Sequence, residues 1–333
     1  MTKIVISGYY GFDNFGDEAI LSVLISKLKS PEREITVFSA NPAKTAAAYG
    51  VNTICSFDYG KVFNAVQAAD VLLSGGGSLL QDVTSLKSLL YYCWVILTAL
   101  IFKKKVIIFA QGIGPINFAP ARFLVKNLLK HCSYVSVRDE KSHELLNGWK
   151  IKNELLCDPV YSLDVPQKTG KSGFIGVQLR SFKEVNEEFL WELAKSVIQN
   201  FPQHKIEIIS LQDKIDLEIC KRFDAILYAL NPEIKTEILS GLSISEALQR
   251  LSGLDYLIGM RFHALLIAVK SGVKSLAVNY DIKVKILAEE TGIPLIELND
   301  YSDYAQKMEL LKNLPSPQIQ KTFDWSGLEH LLV

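Results

Sequence analysis

The sequence predicts an α/β protein made of two doubly wound domains, each built on a parallel sheet. Three observations point there. Short β-branched runs alternate with helical patterns along the whole chain. Strand candidates such as Val106-Ile107-Ile108-Phe109 are apolar on both faces, as a parallel sheet covered by helices requires. A polar stretch rich in Pro, Gly and Lys, 165–173, interrupts the alternation near mid-chain, after which it restarts.

The elements follow in order. Strands are expected at 3–9, 34–38, 52–55, 71–74, 105–110, 134–137 and 154–157, short stretches in which β-branched and other apolar residues predominate. Helices fall between them at 18–29, 44–49, 60–69, 85–102, 119–131 and 140–149, where apolar residues recur every three to four positions. The segment 89–102 carries no charge and is bracketed by Lys87 and Lys103-Lys104-Lys105. As a helix it spans only about 21 Å, short of a hydrocarbon core of about 30 Å. It reads as a buried helix, or as one that touches a bilayer surface with its lysines on anionic lipid. Beyond the linker, strands at 174–179, 205–210, 256–258, 275–278 and 295–298 alternate with helices at 187–200, 215–230, 245–251, 262–270 and 283–291. The expected domains are 1–165 and 173–314, facing a cleft, with a tail at 315–333 that holds a short helix near 325–332.

Composition bounds the function. The chain has 333 residues, enough for about two domains. Lys plus Arg is 36 and Asp plus Glu is 36, so the net charge is zero and no case arises for nucleic acid, whose phosphates demand a basic surface. Five cysteines with no CxxC argue against a disulfide framework or zinc ribbon and for reduced thiols in a reducing compartment. No metal-ligand spacing occurs, and the N-terminal apolar run stops at Gly8, too short for a secretory segment. The expectation is a cytoplasmic protein without a metal.

In doubly wound sheets, ligands sit beyond the carboxyl ends of the strands, so the loops after strands are the candidates. The first is Gly8-Tyr9-Tyr10-Gly11-Phe12-Asp13-Asn14-Phe15-Gly16-Asp17-Glu18. Its glycines lack dinucleotide spacing, and Asp17 and Glu18 occupy the positive end of the following helix, where a phosphate would meet like charge. That chemistry suits a neutral polyol gripped by Asp13, Asn14 and Asp17; a plain turn with a helix cap is the alternative. Gly75, Gly76 and Gly77 follow the fourth strand and let backbone N–H groups approach a ligand. Arg138 stands at another strand exit, able to hold a carboxylate or phosphate, or to pair with Asp139 or Glu140. The second half adds Arg180, then Arg261 and His263 in Gly259-Met260-Arg261-Phe262-His263, then Lys283 at a loop-to-helix junction. Five potential cations at strand exits ask for a compact, multiply charged anion.

Taken together, Gly8-Tyr9-Tyr10-Gly11, Gly16-Asp17-Glu18-Ala19, Gly75-Gly76-Gly77-Ser78, Gln111-Gly112-Ile113-Gly114-Pro115, Ser136-Val137-Arg138-Asp139 and Gly259-Met260-Arg261-Phe262-His263 resemble the polysaccharide pyruvyltransferases. The resemblance is greatest to the bacterial branch that pyruvylates secondary cell-wall polymers. It implies a glycosyltransferase-B-like fold, with an acceptor-side N-terminal and a donor-side C-terminal domain. It also implies phosphoenolpyruvate as co-substrate without a further cofactor, and a sugar acceptor. In that branch the acceptor is a lipid-linked N-acetylmannosamine residue that receives a 4,6-ketal, a setting that adds peripheral contact with the inner membrane face. By motif, Arg138 matches the family's donor-binding arginine, His263 its catalytic histidine, and Lys283 a lysine in a Tyr-Asp-Pro-Lys-like segment in which this chain has Ile282. Arg180 and Arg261 join the donor side. Asp13 and Asp17 are candidate bases, with Asn14, Glu18 and the three glycines on the acceptor side. Two other readings stay open: a nucleotide-sugar glycosyltransferase or epimerase of the same fold, and a non-catalytic sugar-phosphate-binding protein.

Overall fold

The computed structural model describes residues 1–331 and divides into two compact units, Met1–Leu163 with a returning segment from Lys321, and Asp164–Gln320. Unit 1 runs β1 (Thr2–Ser7), α1 (Phe15–Leu28), β2 (Arg33–Ser39), α2 (Pro42–Tyr49), β3 (Asn52–Cys55), α3 (Tyr59–Ala68), β4 (Val71–Gly75), α4 (Leu86–Ile101), β5 (Lys105–Gln111), α5 (Ala119–Lys130), β6 (Tyr134–Val137), α6 (Glu140–Gly148) and β7 (Glu154–Leu155). Its seven strands are all parallel, in the order β3-β2-β1-β4-β5-β6-β7. The chain steps one way from β1 to β3, then crosses back to β4 and steps the other way. The order therefore reverses between β1 and β4, where doubly wound sheets open a crevice for ligand.

The apolar strands are buried because helices cover them. Val62 and Val66 of α3, Leu89 and Ile96 of α4, and Val125 and Leu129 of α5 share one core with Leu72, Val106 and Ile108 of the sheet. The returning segment adds Phe323 and Trp325, whose rings lie 5.4 Å from that of Phe109 on β5. A last short helix, Ser326–Leu331, closes that segment.

Unit 2 runs β8 (Phe174–Gln178), α7 (Glu187–Asn200), β9 (Lys205–Ile209), α8 (Asp213–Leu230), β10 (Thr236–Leu239), α9 (Ile244–Gly253), β11 (Tyr256–Gly259), α10 (Phe262–Lys270), β12 (Lys274–Asn279), α11 (Ile282–Thr291), β13 (Leu295–Glu297) and α12 (Tyr304–Asn313). Six parallel strands lie in the order β10-β9-β8-β11-β12-β13, with the reversal between β8 and β11. The fold class is thus the one expected. Two elements escape the sequence reading. β10 is an edge strand whose Thr236, Glu237 and Ile238 are only half-buried, so it lacks the doubly apolar signature of its neighbours. The helix α12 does carry a buried stripe, Tyr304, Met308 and Leu311, at helical spacing, but it lies past the last expected strand.

Asp255, at the foot of β11, organises the segment read as a linker. Its carboxylate accepts from Lys168 Nζ at 2.7 Å and from the backbone N–H groups of Ser172 and Gly173. The segment thereby belongs to unit 2. None of the five cysteines forms a disulfide; burial pushes the thiols of Cys93, Cys132 and Cys220 up to about 12, which keeps them protonated and inert. Among the described residues, no helix is long and apolar enough to cross a membrane, and no cluster of His, Cys, Asp and Glu could hold a metal ion.

Candidate functional site

In unit 1 the loops after β1 and β4 meet at the sheet's reversal point. The Tyr10 hydroxyl donates to the Gly75 carbonyl at 2.8 Å. Gly76 and Gly77 both have left-handed backbones, with φ of 65° and 68°. A Cβ on Gly76 would fall 2.3 Å from Ile20 Cγ2, and one on Gly77 would fall 2.6 Å from Asp17 Oδ1. The glycines are therefore what lets α1 bring the Asp17 carboxylate against this turn.

Asn14, Glu18 and Asp13 of the first loop have structural partners too. Asn14 caps α1, its Oδ1 accepting from Gly16 N at 3.1 Å. Glu18 Oε1 accepts from Gly11 N at 2.7 Å, and its Oε2 from the Tyr49 hydroxyl at 3.3 Å. Burial raises the Glu18 carboxyl above its ordinary value despite these bonds. Asp13 has a positive φ of 58° and a surface ion pair with Lys44 at 2.6 Å.

The next strand exits extend the same edge. Gln111 at the end of β5 donates from Nε2 to Ser74 O and Oγ, at 2.9 and 2.8 Å, and Gly112 N donates to Gly77 O at 2.9 Å. Beyond β6, Arg138 pairs through one terminal nitrogen with Asp158 at 2.5 Å and donates through the other to Ser78 Oγ at 3.1 Å. Asp139, one of the partners the sequence offers, instead caps α6 by accepting from Ser142 N. Arg138 Nε is buried without a hydrogen-bond partner. The sequence reading misses Asp158 and Ser78 as partners of Arg138. Asp158 follows the last strand of the unit, so the rule of reading strand exits could have found it.

In unit 2 the residues after β8, β11 and β12 adjoin, because those three strands are neighbours. Gln178, the buried last residue of β8, accepts from Arg261 N through Oε1 at 2.7 Å, and its carbonyl accepts from Met260 N at 3.0 Å. These bonds lock the β11–α10 turn to β8. The Arg261 side chain then turns into the core. Its Nε and one terminal nitrogen bond both oxygens of Asp216 at 2.7 and 2.8 Å, and that nitrogen also reaches Gln212 at 3.0 Å. The charge expected for a ligand is balanced internally by Asp216, with Gln212 accepting a further bond, two residues of the α8 region that sequence proximity does not suggest.

Arg180 differs. Its guanidinium lies over the Tyr280 ring at 5.2 Å and donates to the Tyr280 hydroxyl at 3.1 Å, while its Nε is buried without a partner. Burial raises the Tyr280 phenol and the Arg180 charge opposes that rise, so the phenol remains a neutral donor. His263 is the second residue of α10, its ring edge-on to Phe262 at 5.1 Å. Lys283 is the second residue of α11, where Asp281 caps the helix by accepting from Lys283 N at 2.9 Å. Unit 2 thus brings Arg180, Arg261, His263 and Lys283 to one sheet edge. Unit 1 does the same for Asp17, Gly75, Gly76, Gly77 and Arg138.

The comparisons agree with this architecture. The chain is similar in structure to Anabaena Alr3699/HepE in complex with UDP-glucose, at 11% identity and TM-score 0.65, over 94% of this chain and 90% of that one. It is likewise similar to a UDP-GlcNAc 2-epimerase from Methanocaldococcus jannaschii, at 12% identity and TM-score 0.62, over 97% and 95%. A Neisseria meningitidis UDP-GlcNAc 2-epimerase bound to UDP-GlcNAc gives 9% identity and TM-score 0.60, over 95% of both chains. At these identities the likeness speaks for the glycosyltransferase-B-like fold alone. No curated protein matches the sequence. The sequence profile of the polysaccharide pyruvyl transferases matches residues 14–282, which takes in most of both sheets, and the chain belongs to that family.

Proposed function

We propose that this transferase moves the pyruvyl group of phosphoenolpyruvate onto a sugar as a cyclic ketal. The observation that carries the reading is a pair of buried guanidinium Nε–H groups, on Arg138 and Arg180, each at a strand exit and each without a protein acceptor. A buried cationic donor left unsatisfied is costly unless a ligand completes it, and a carboxylate or phosphate is the fitting ligand. Phosphoenolpyruvate carries both. In unit 2 Arg180 and Lys283 are assigned to the donor; Arg138 is assigned to it on the strength of the motif resemblance. Arg261, already balanced by Asp216, is assigned to positioning the turn that bears His263.

In this reaction a proton from the His263 imidazolium goes to the methylene carbon of the donor, and the central carbon becomes electrophilic. One sugar hydroxyl adds there, the bond from that carbon to the phosphate oxygen breaks, and a second hydroxyl closes the ring. Of the two hydroxyl protons, one restores the histidine and the other leaves with phosphate. Asp13 and Asp17 remain the candidate acceptor-side bases, and Asn14 and Glu18 shape the loop that carries them. We assign the 4,6-diol of an N-acetylmannosamine-containing, lipid-linked cell-wall precursor as acceptor on the strength of the motif resemblance, with no cofactor beyond the donor.

Phosphate release from phosphoenolpyruvate, screened over lipid-linked and soluble saccharides, tests this. Release that depends on an acceptor is expected, without any nucleotide. The fold shared with UDP-sugar proteins supplies the competing reading, and turnover that requires a uridine nucleotide would favour it. Binding of phosphoenolpyruvate with no release under any acceptor would leave a sensor.

A further inference from the structure

The helix α4 has two apolar faces. One is core: Leu89, Cys93 and Ile96 are buried. The other is a stripe in the 3-4-3-4 rhythm of a helix, Lys87, Leu90, Trp94, Leu97 and Ile101, and it faces outward. Leu90, Leu97 and Ile101 are 44%, 41% and 66% exposed. The stripe continues onto α3. Tyr59 sits edge-on to Trp94 at 5.5 Å, and Phe63 edge-on to Phe102 at 5.4 Å. Scattered exposed apolar residues are ordinary, but a connected set of this kind marks a contact surface.

Charge identifies what it contacts. The helices α3, α4 and α5, packed side by side, contain no Asp or Glu at all. They carry Lys61, Lys87, Arg122, Lys126 and Lys130, and Lys103 and Lys104 follow α4 directly. In a chain of zero net charge this is a strong local excess. The carboxylates that flank the helices are engaged: Asp58 caps α3 and pairs with Lys61, Asp70 after α3 accepts from Lys3 N, and Asp82 accepts from the backbone of Asn117 and Phe118 ahead of α5. Aliphatic residues with Tyr and Trp among them and lysines at the rim are the composition of a helix lying in a bilayer interface. Because the inner face of α4 is fixed in the core, the helix can lie on a membrane but cannot enter it lengthwise.

We propose that the outward face of α3, α4 and α5 docks on a bilayer surface bearing anionic headgroups, with Leu90, Trp94, Leu97 and Ile101 seated in the interface. This assignment stands on surface chemistry and is independent of the transfer reaction. The test is co-sedimentation of the full chain with phosphatidylcholine vesicles, with and without phosphatidylglycerol. Binding is expected only with the anionic lipid, and 1 M salt, with a screening length of about 3 Å, should abolish most of it. Replacing two lysines, Lys87→Glu with Lys104→Glu, should weaken binding by about tenfold or more. Leu97→Asp with Ile101→Asp should do the same; these exposed positions leave the core intact, which an unchanged thermal midpoint would verify. Brominated lipid should quench the bound wild-type protein and not Trp94→Phe. Absence of sedimentation would overturn the proposal, as would binding that neither pair of substitutions changes. So would a dimer that Leu97→Asp with Ile101→Asp dissociates while vesicles bind nothing, which would give the face to a second copy of the chain.

Discussion

Three arginines leave strands at carboxyl ends, and their partners divide their roles. Arg261 is buried and doubly bonded to Asp216, so Asp216→Ala would strand a cation in the core. A loss of about 3–5 kcal/mol is expected, read by denaturant unfolding. Arg138 and Arg180 each keep a buried Nε without a hydrogen-bond partner. His263 at the start of α10 is the group assigned to proton transfer, and His263→Ala should cut acceptor-dependent phosphate release on the order of 10²–10⁴-fold. Turnover within about threefold of wild type would remove it from that role. Glu18 carries a pH signature. Its folded-state carboxyl titrates above the ordinary 4.5, so the folded chain binds more protons than the unfolded chain between those two values. Stability contributed at this site therefore falls as pH rises through that window. Glu18→Gln retains an acceptor for Gly11 N and should flatten that fall, seen as a smaller drop in thermal midpoint from pH 5 to pH 8. An unchanged pH slope would mean that burial does not govern the group.

The turns between elements are where sequence reading succeeds most and where its limit shows. The glycines after β4 are read from sequence as a place where backbone N–H groups approach a ligand, and what the structure places against Gly76 and Gly77 is α1, through Ile20 and Asp17. Gly76→Ala should therefore meet both a left-handed backbone and the fully packed Ile20, with a loss of about 2–4 kcal/mol by chemical denaturation. A loss below about 1 kcal/mol would mean that α1 yields. The strands and helices themselves were legible because both-face burial leaves an unbroken apolar run. β10 was not, because an edge position lets Thr236 and Glu237 stay half-solvated. The side-chain partners were not legible either. Asp216 is 45 positions from Arg261, and only the folded chain brings the first turn of α8 to the β11–α10 turn. Position at a strand exit indicates where a charge stands, whereas its balance is set by elements distant in the chain.

The chain as a whole leaves unit 1 after Leu163, builds unit 2, and returns at Lys321 to the sheet it began with. Sequence reading could attach that tail to either domain, since a short amphipathic segment fits any apolar face. Its destination is set by Phe109 on β5, fully buried under the Phe323 and Trp325 rings, and by Lys27, whose ammonium lies 5.6 Å from the Trp325 ring centre. Cys157 and Tyr161 take part as well, the first donating its thiol to Thr322 O and the second lying under Lys321. The returning segment is thus a strap over one sheet. Ending the chain at Gln320 would uncover Phe109 and remove two buried aromatic side chains, each worth about 3–5 kcal/mol on truncation to alanine. Unit 1 should lose stability while unit 2 keeps its own, because every strand and helix of unit 2 lies between Asp164 and Gln320. Hydrogen exchange reads the difference directly. Amides of β1, β4 and β5 should exchange faster by about a hundredfold or more, and those of β8, β9 and β11 should be unchanged. Equal acceleration in both sheets would show that the strap stabilises the molecule as one cooperative body.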